Sequence, residues 1–322
     1  MTQPYAWAKR RLVSQRFRWS LLALTASLLL VWATGAIGQS QRKTGEGLDD
    51  PRCMQQFANA CVDWSNATGL AQGTGLPPAW ARGDAQRQQA ALRAAIIDAS
   101  RNMLELVKGV NLTSNSTLEN AMLVNDTITS TVEGRLFGLR PVGEPRIERD
   151  PQGQIVAVTV WIEARLTEML PEETLLTPPR PNPEAPLPRL APDGPTTRQT
   201  GINVRRDYTG LIVDARGLNL APALAPRILG PDGNEVYGSH MVSRQFLLEQ
   251  GMAGYVKDTT SALSTARSNP RVGESPLVIV AQAVAGTQQA DVVVDAATAR
   301  ALNALNLSQP FLRETRVIIV LD

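Results

Sequence analysis

DAQRQQAALRAAIIDASRNMLELVKGV, residues 84–110, decides the architecture. Leu92, Ile96, Ala99, Met103, Leu106 and Val110 recur at steps of three and four, which puts an apolar stripe along one face of a helix. Asp84 is the residue type that caps a helix at its amino end, and Gly109 the type that stops one. Downstream, Leu118 to Glu133 keeps a looser helical spacing through Leu118, Met122, Ile128 and Val132, diluted by Thr127, Thr129 and Thr131. Arg135 to Arg149 and Gln154 to Thr167 then read as the two arms of a hairpin around Asp150-Pro151-Gln152-Gly153, where Pro presets φ and Gly accepts a positive one. In the second arm Val156, Val158, Val160, Ile162, Ala164 and Leu166 alternate onto one face. A stripe and a sheet face of matching length bury each other, so residues 84–170 are expected to form a small helix-on-antiparallel-sheet α+β domain. Its sheet edges are left for a second copy or a partner.

Outward from this core, the amino-terminal side reads as export and tether. Lys9, Arg10, Arg11, Arg16 and Arg18 precede an apolar run from Ser20 to Gly38, and Ala36 and Gly38 occupy the two positions read by a signal peptidase cutting before Gln39. The run is about 19 residues long, at the lower limit for spanning a bilayer, so residues 1–38 are a signal peptide or a signal anchor. In the second case the chain meets the membrane through residues 20–38, with its amino terminus cytoplasmic. Residues 39–83, rich in Gly, Gln and Asn, read as an extended lead-in. Cys53 and Cys61 lie in it, and in an oxidising compartment they are expected to close a disulfide worth about 2–3 kcal/mol on the chain-entropy model. No cysteine follows the apolar run directly, so the usual lipoprotein attachment is not available.

The run Gln88-Gln89-Ala90-Ala91-Leu92-Arg93-Ala94-Ala95-Ile96-Ile97-Asp98-Ala99, followed some forty residues later by an alternating strand, resembles the amino-terminal domain of flagellar assembly protein T. It is similar also to the lipoprotein-type family that includes flagellar protein P. The resemblance covers residues 84–168 and implies an exported module that contributes to rings around the flagellar motor or to outer-membrane assemblies.

On the carboxyl side, nine prolines between Pro171 and Pro195 mark residues 171–200 as a Pro-rich linker. Residues 201–322 read as a second, α/β domain with a mixed sheet. Leu211-Ile212-Val213, Leu277-Val278-Ile279-Val280 and Val317-Ile318-Ile319-Val320-Leu321 have the continuous apolar character of strands buried on both faces. Asp295 follows Val292-Val293-Val294 as cap of a helix from Ala296 to Asn306, in a strand–helix–strand order that favours a right-handed crossover. Pro231-Asp232-Gly233-Asn234 is a hairpin turn, and Val242 to Gln250 a short helix ended by Gly251.

Composition removes several functions. Of 32 basic residues five precede Gln39, so the remainder carries 27 against 30 acidic ones and offers no electrostatic case for nucleic acid. His240 is the only histidine, which excludes metal sites needing two and makes any histidine triad depend on that residue. Gly73-Thr74-Gly75 is followed by Leu-Pro-Pro where a phosphate loop requires a helix, and no Gly-x-Ser-x-Gly elbow occurs. The chain shows no catalytic signature and calls for no cofactor. Carboxylates in the second half stand at Asp214, Asp258, Asp291 and Asp295. Asp214, at the end of a predicted buried strand beside Arg216, is the candidate functional spot, against the plainer reading of an ion pair in a turn.

These features describe an exported, periplasmic structural or assembly protein of a bacterial cell envelope, associating with itself or with envelope and flagellar proteins. The alternative is a periplasmic module that binds peptidoglycan or another envelope polymer.

Overall fold

The computed structural model describes residues 52–178, 201–257 and 261–322. The predicted signal segment lies outside them, as does most of the Pro-rich stretch. Among the described residues no helix is long and apolar enough to cross a membrane.

The chain is α+β. Strands β1 (Gln55–Phe57), β2 (Ala60–Asp63) and β3 (Thr68–Gly75) precede helix α1 (Asp84–Gly109). A short hairpin, β4 (Asn111–Thr113) and β5 (Ser116–Thr117), leads into helices α2 (Leu118–Val124) and α3 (Asp126–Gly138). Strands β6 (Pro141–Arg149) and β7 (Ile155–Arg165) follow, and the first five-stranded antiparallel sheet runs β1-β2-β3-β7-β6. Sequence patterning predicts only the last two of these strands, and residues 39–83 read as a lead-in; in the fold, three strands from that stretch extend the sheet. Their signal is present but unusual. Gly69, Ala71, Gly73 and Gly75 alternate on one face of β3, a period of two written in small residues.

That face explains how α1 sits. A Cβ added at Gly73 would lie 2.1 Å from the Ala99 nitrogen, and one at Gly75 would lie 2.0 Å from the Ala91 carbonyl oxygen. Glycine on the strand and alanine on the helix let the two backbones touch. The helix is accordingly rolled so that Ala91, Ala95 and Ala99 are buried while Leu92 and Ile96 are only half-buried; Met103 and Leu106 of the predicted stripe are fully inside. Asp84 is the first helical residue rather than the cap, which is Gly83, and its carboxylate pairs with Arg149 at 2.8 Å. On β7, Val158, Val160, Ile162 and Ala164 face the core as expected, whereas Val156 is exposed.

The second predicted helix is two. Asn125 ends α2 in an extended conformation, and its side chain accepts from the Thr127 amide at 2.9 Å to start α3. The first hairpin arm begins at Pro141 rather than Arg135, since α3 runs on through Gly138. The turn forms as read: Gly153 has φ +82°, its amide donates to the Asp150 carbonyl at 2.9 Å, and the Asp150 side chain accepts from Gln152 and Gln154.

Beyond β7, helix α4 (Glu172–Leu176) occupies what proline density alone marks as linker. Pro171 stands just ahead of it and residues 172–177 contain no proline, so one turn of helix is free to form; Leu175 is fully buried and Glu172 pairs with Arg244.

The carboxyl-terminal half contains two sheets. Strands β8 (Leu211–Asp214), β9 (Ile228–Leu229) and β10 (Glu235–Tyr237) come first, then helix α5 (Arg244–Gln250), β11 (Gly254–Lys257) and helix α6 (Ala262–Arg267). After these come β12 (Leu277–Val280), β13 (Ala283–Ala285), β14 (Asp291–Val293), helix α7 (Ala296–Ser308) and β15 (Val317–Leu321). One sheet, β11-β15-β8-β12, is parallel throughout and holds all three predicted apolar runs; the other, β10-β9-β14-β13, is mixed. The expected crossover through α7 therefore links strands of different sheets. Asp295 caps α7 as read, accepting from the Ala297 and Thr298 amides at 2.8 Å each. Gly251, with φ +74°, ends α5, and the partly buried Arg271 donates to the carbonyls of Gln250 and Gly251 (both 2.7 Å) and Thr315 (2.9 Å). Burial pulls that guanidinium down to about 10, and three carbonyl acceptors in place of a carboxylate hold it.

Among the described residues the two halves belong to one compact unit, and the largest hydrophobic cluster runs from Ala60 through Met103 and Ile162 to Val213, Ile279 and Leu321. A hydrogen-bonded seam joins them: the Leu224 amide donates to Asn111 (3.0 Å), Ala225 to Leu112 (2.8 Å) and Gln288 to Ser114 (2.7 Å). Trp64 meets Tyr255 edge to face with ring centres 5.6 Å apart.

Candidate functional site

Parallel strands align their carboxyl ends, and in open α/β sheets that rim is where ligands are bound. Here the rim carries Asp214 at the end of β8 and Asp322 just past β15. Asp214 and Arg216 do come together: the guanidinium grips the carboxylate through Nε at 2.8 Å and Nη2 at 2.7 Å, and the Arg216 amide adds a third bond at 3.3 Å. These hydrogen bonds hold the Asp214 carboxyl below its ordinary value. Asp322 accepts from the amides of Gly217 (2.6 Å) and Asn219 (3.4 Å), both in left-handed conformations that the loop needs. Chemically, the two carboxylates are acceptors whose oxygens are engaged in pinning loop 215–219 across the ends of β8 and β15.

The pair is half-exposed, so its worth is that of a surface ion pair, about 0.5–1 kcal/mol. A carboxyl held below its unfolded value stabilises the fold above that value and loses the contribution as pH falls through the folded one. Asp214→Asn should therefore remove a small stability increment at neutral pH and flatten the acid limb of a pH–stability curve measured by urea unfolding; an acid limb identical to wild type would show the pair to be energetically idle.

A second constellation emerges only in three dimensions. Asp291, fully buried on β14, accepts from the Arg227 amide and Nε at 3.0 Å each, from Arg227 Nη2 and from the Ser114 hydroxyl. Arg227 also lies 3.9 Å from Glu235, whose other oxygen is 2.9 Å from His240 Nδ1. Burial pushes the Glu235 carboxyl up, with His240 and Arg227 opposing. Serine and histidine thus occupy opposite ends of a relay, with a guanidinium and two carboxylates between them. The arrangement is not that of a nucleophile beside its base. What it does is bind the β4–β5 hairpin to the mixed sheet through Ser114, helped by Asn115, which accepts from the Thr287 amide at 3.1 Å.

Sequence reading singled out His240 and Asp291 separately; Arg227, Glu235 and Ser114 carry no local signal, because their meeting spans 177 residues between Ser114 and Asp291. Asp295 serves as a helix cap, and Asp258 lies outside the described residues. Cys53 and Cys61 are paired, with Cα atoms 5.5 Å apart, on the outer side of the first sheet beside Leu70 and Trp161. The cleft next to them, bordered by Asp63, Thr68 and Glu163, measures about 20 Å³, room for one water. Among the described residues no group of three His, Cys, Asp or Glu side chains is placed to hold a metal ion.

Fold and geometry define an α+β protein whose carboxyl-terminal half, a parallel and a mixed sheet, is joined to an amino-terminal helix-and-sheet layer by a shared hydrophobic cluster and a hydrogen-bonded seam. Within it, residues 210–322 match a family model described as the second domain of Treponema pallidum Tp0624. The match takes in about a third of the chain, the part holding Asp214, Arg227 and Asp291, and lies apart from residues 84–168, on which the flagellar resemblance rests. Comparison with curated proteins gives no match.

Proposed function

We propose that the protein is an exported structural and assembly component of a bacterial cell envelope, working in the periplasm, with a place at the flagellar motor or an outer-membrane ring as its most specific form. The observation that carries this reading is the Cys53–Cys61 pair closing the first hairpin of the sheet, since such bonds form and persist in oxidising compartments. The export-type sequence before Gln39 agrees with it. So does the use made of the charged groups: Asp214, Asp291 and Asp322 fasten loops and strands. Leu123 and Val124, adjacent at the end of α2, are both left exposed, which suits contact with another protein. The specific flagellar form rests on the resemblance of residues 84–168.

Two measurements test the proposal. Alkylation of the native protein in an osmotic-shock extract should label neither cysteine until a reductant is added; free thiols in a cytoplasmic fraction would overturn export. Imaging of envelope assemblies in a deletion strain should show a ring or motor density lost. Intact assemblies, together with retention of the purified protein on isolated cell wall, would replace assembly by polymer binding.

A further inference from the structure

Resting on the reading of the protein as a self-associating module, we propose that two copies meet edge to edge along β6, antiparallel about a two-fold axis at Ile147. The sheet order leaves β6 at one end, paired only with β7, and the strand is nine residues long against three for β1 at the other end. Its pairing with β7 is regular over Arg146, Ile147 and Glu148, opposite Thr159, Val158 and Ala157, and shifts register on either side of that run. Ile147 points to the core side, where it packs against the main cluster, so Glu144, Arg146 and Glu148 share the other face with alternating charge.

This pattern selects a register. With the axis at Ile147, Arg146 of each copy stands directly opposite Glu148 of the other, two opposite-charge pairs on one face. Moving the axis to Arg146 sets arginine against arginine and Glu144 against Glu148. Moving it to Pro145 restores a Glu144–Arg146 match, but on the stretch where the ladder is broken and where Pro145 has no N–H to give. In the single copy Arg146 and Glu148 bond to each other while exposed, an arrangement of little worth that exchanges readily for the intermolecular one. Pro141, Pro145 and the positive-φ Gly143 keep the open edge short, so pairing closes at a symmetric dimer instead of growing as a sheet.

Sedimentation of the purified full-length protein over a micromolar to millimolar series provides the test, with melting curves confirming that each variant is folded. Wild type should dimerise with concentration. Arg146→Glu or Glu148→Arg, each placing two like-charge pairs across the axis, should raise the dimer Kd about tenfold or more. The double exchange R146E/E148R should bring it back to near the wild-type value. Self-association that ignores the single reversals, or a double exchange that fails to rescue, overturns the β6 interface and leaves assembly to another surface. A wild-type protein that stays monomeric across the whole series overturns both the interface and the self-association reading.

Discussion

Gly73→Ala is expected to destabilise the protein by roughly 3 kcal/mol or more, at the upper end of what overpacking costs. The added methyl would sit 2.1 Å from the Ala99 nitrogen and 2.3 Å from the Ala95 carbonyl oxygen. Both are backbone atoms, so no side-chain rotation relieves the overlap, and α1 must lift from β3 along its whole alanine face. That movement would also loosen Met103 and Leu106, which are fully buried further along the same helix. Gly134→Ala is the control. It lies in α3 with nothing within 4 Å of the position a Cβ would take, and should stabilise by about 0.5–1 kcal/mol through helix propensity. Urea unfolding of the two variants, compared at equal m-value, reads the difference; a Gly73→Ala protein as stable as wild type would mean that the helix does not rest on the strand backbone.

Asp291→Ala should cost about 3 kcal/mol, because it leaves the Arg227 guanidinium largely buried without its principal acceptor and strands the Ser114 hydroxyl as well. The loss falls on the seam between the two halves. Removing both charges together, Arg227→Met with Asp291→Leu, should be much milder than the single change, since the penalty arises from an uncompensated cation more than from the lost attraction. Chemical unfolding followed by Trp fluorescence is a suitable readout, because Trp64 packs at the same seam. If the double variant proves at least as damaged as the single one, the site's worth lies in the hydrogen-bond geometry and not in charge balance.

Much of the fold is legible in the sequence wherever periodicity is written in large residues. The apolar runs at 211, 277 and 317 become neighbouring parallel strands, the turns at 150–153 and 231–234 form with positive-φ glycines, and Asp295 caps α7. Legibility fails where the period is written in glycine and alanine. Thr68–Gly75 looks like loop by composition, yet its glycines are there to admit a helix, and the same close approach shifts the buried face of α1 from Leu92 and Ile96 to Ala91 and Ala95. The Asp214–Arg216 pair is readable because its partners are two residues apart. The Ser114–Arg227–Asp291 cluster is not, since neither composition nor spacing tells which of several arginines and serines a buried aspartate will meet 64 and 177 residues away.

Cys53 and Cys61 acquire a further meaning when the protein is considered as something that is pulled. A strand at the border of a sheet is the easiest to peel, because its hydrogen bonds break one after another. β1, with three residues, is such a strand. The bond from Cys53 to Cys61 gives tension arriving from the amino-terminal side a covalent route past β1 into β2, which is paired on both flanks. Load is thereby delivered past the border strand to the interior of the sheet, to a strand held by β1 on one side and by four residue pairs with β3 on the other.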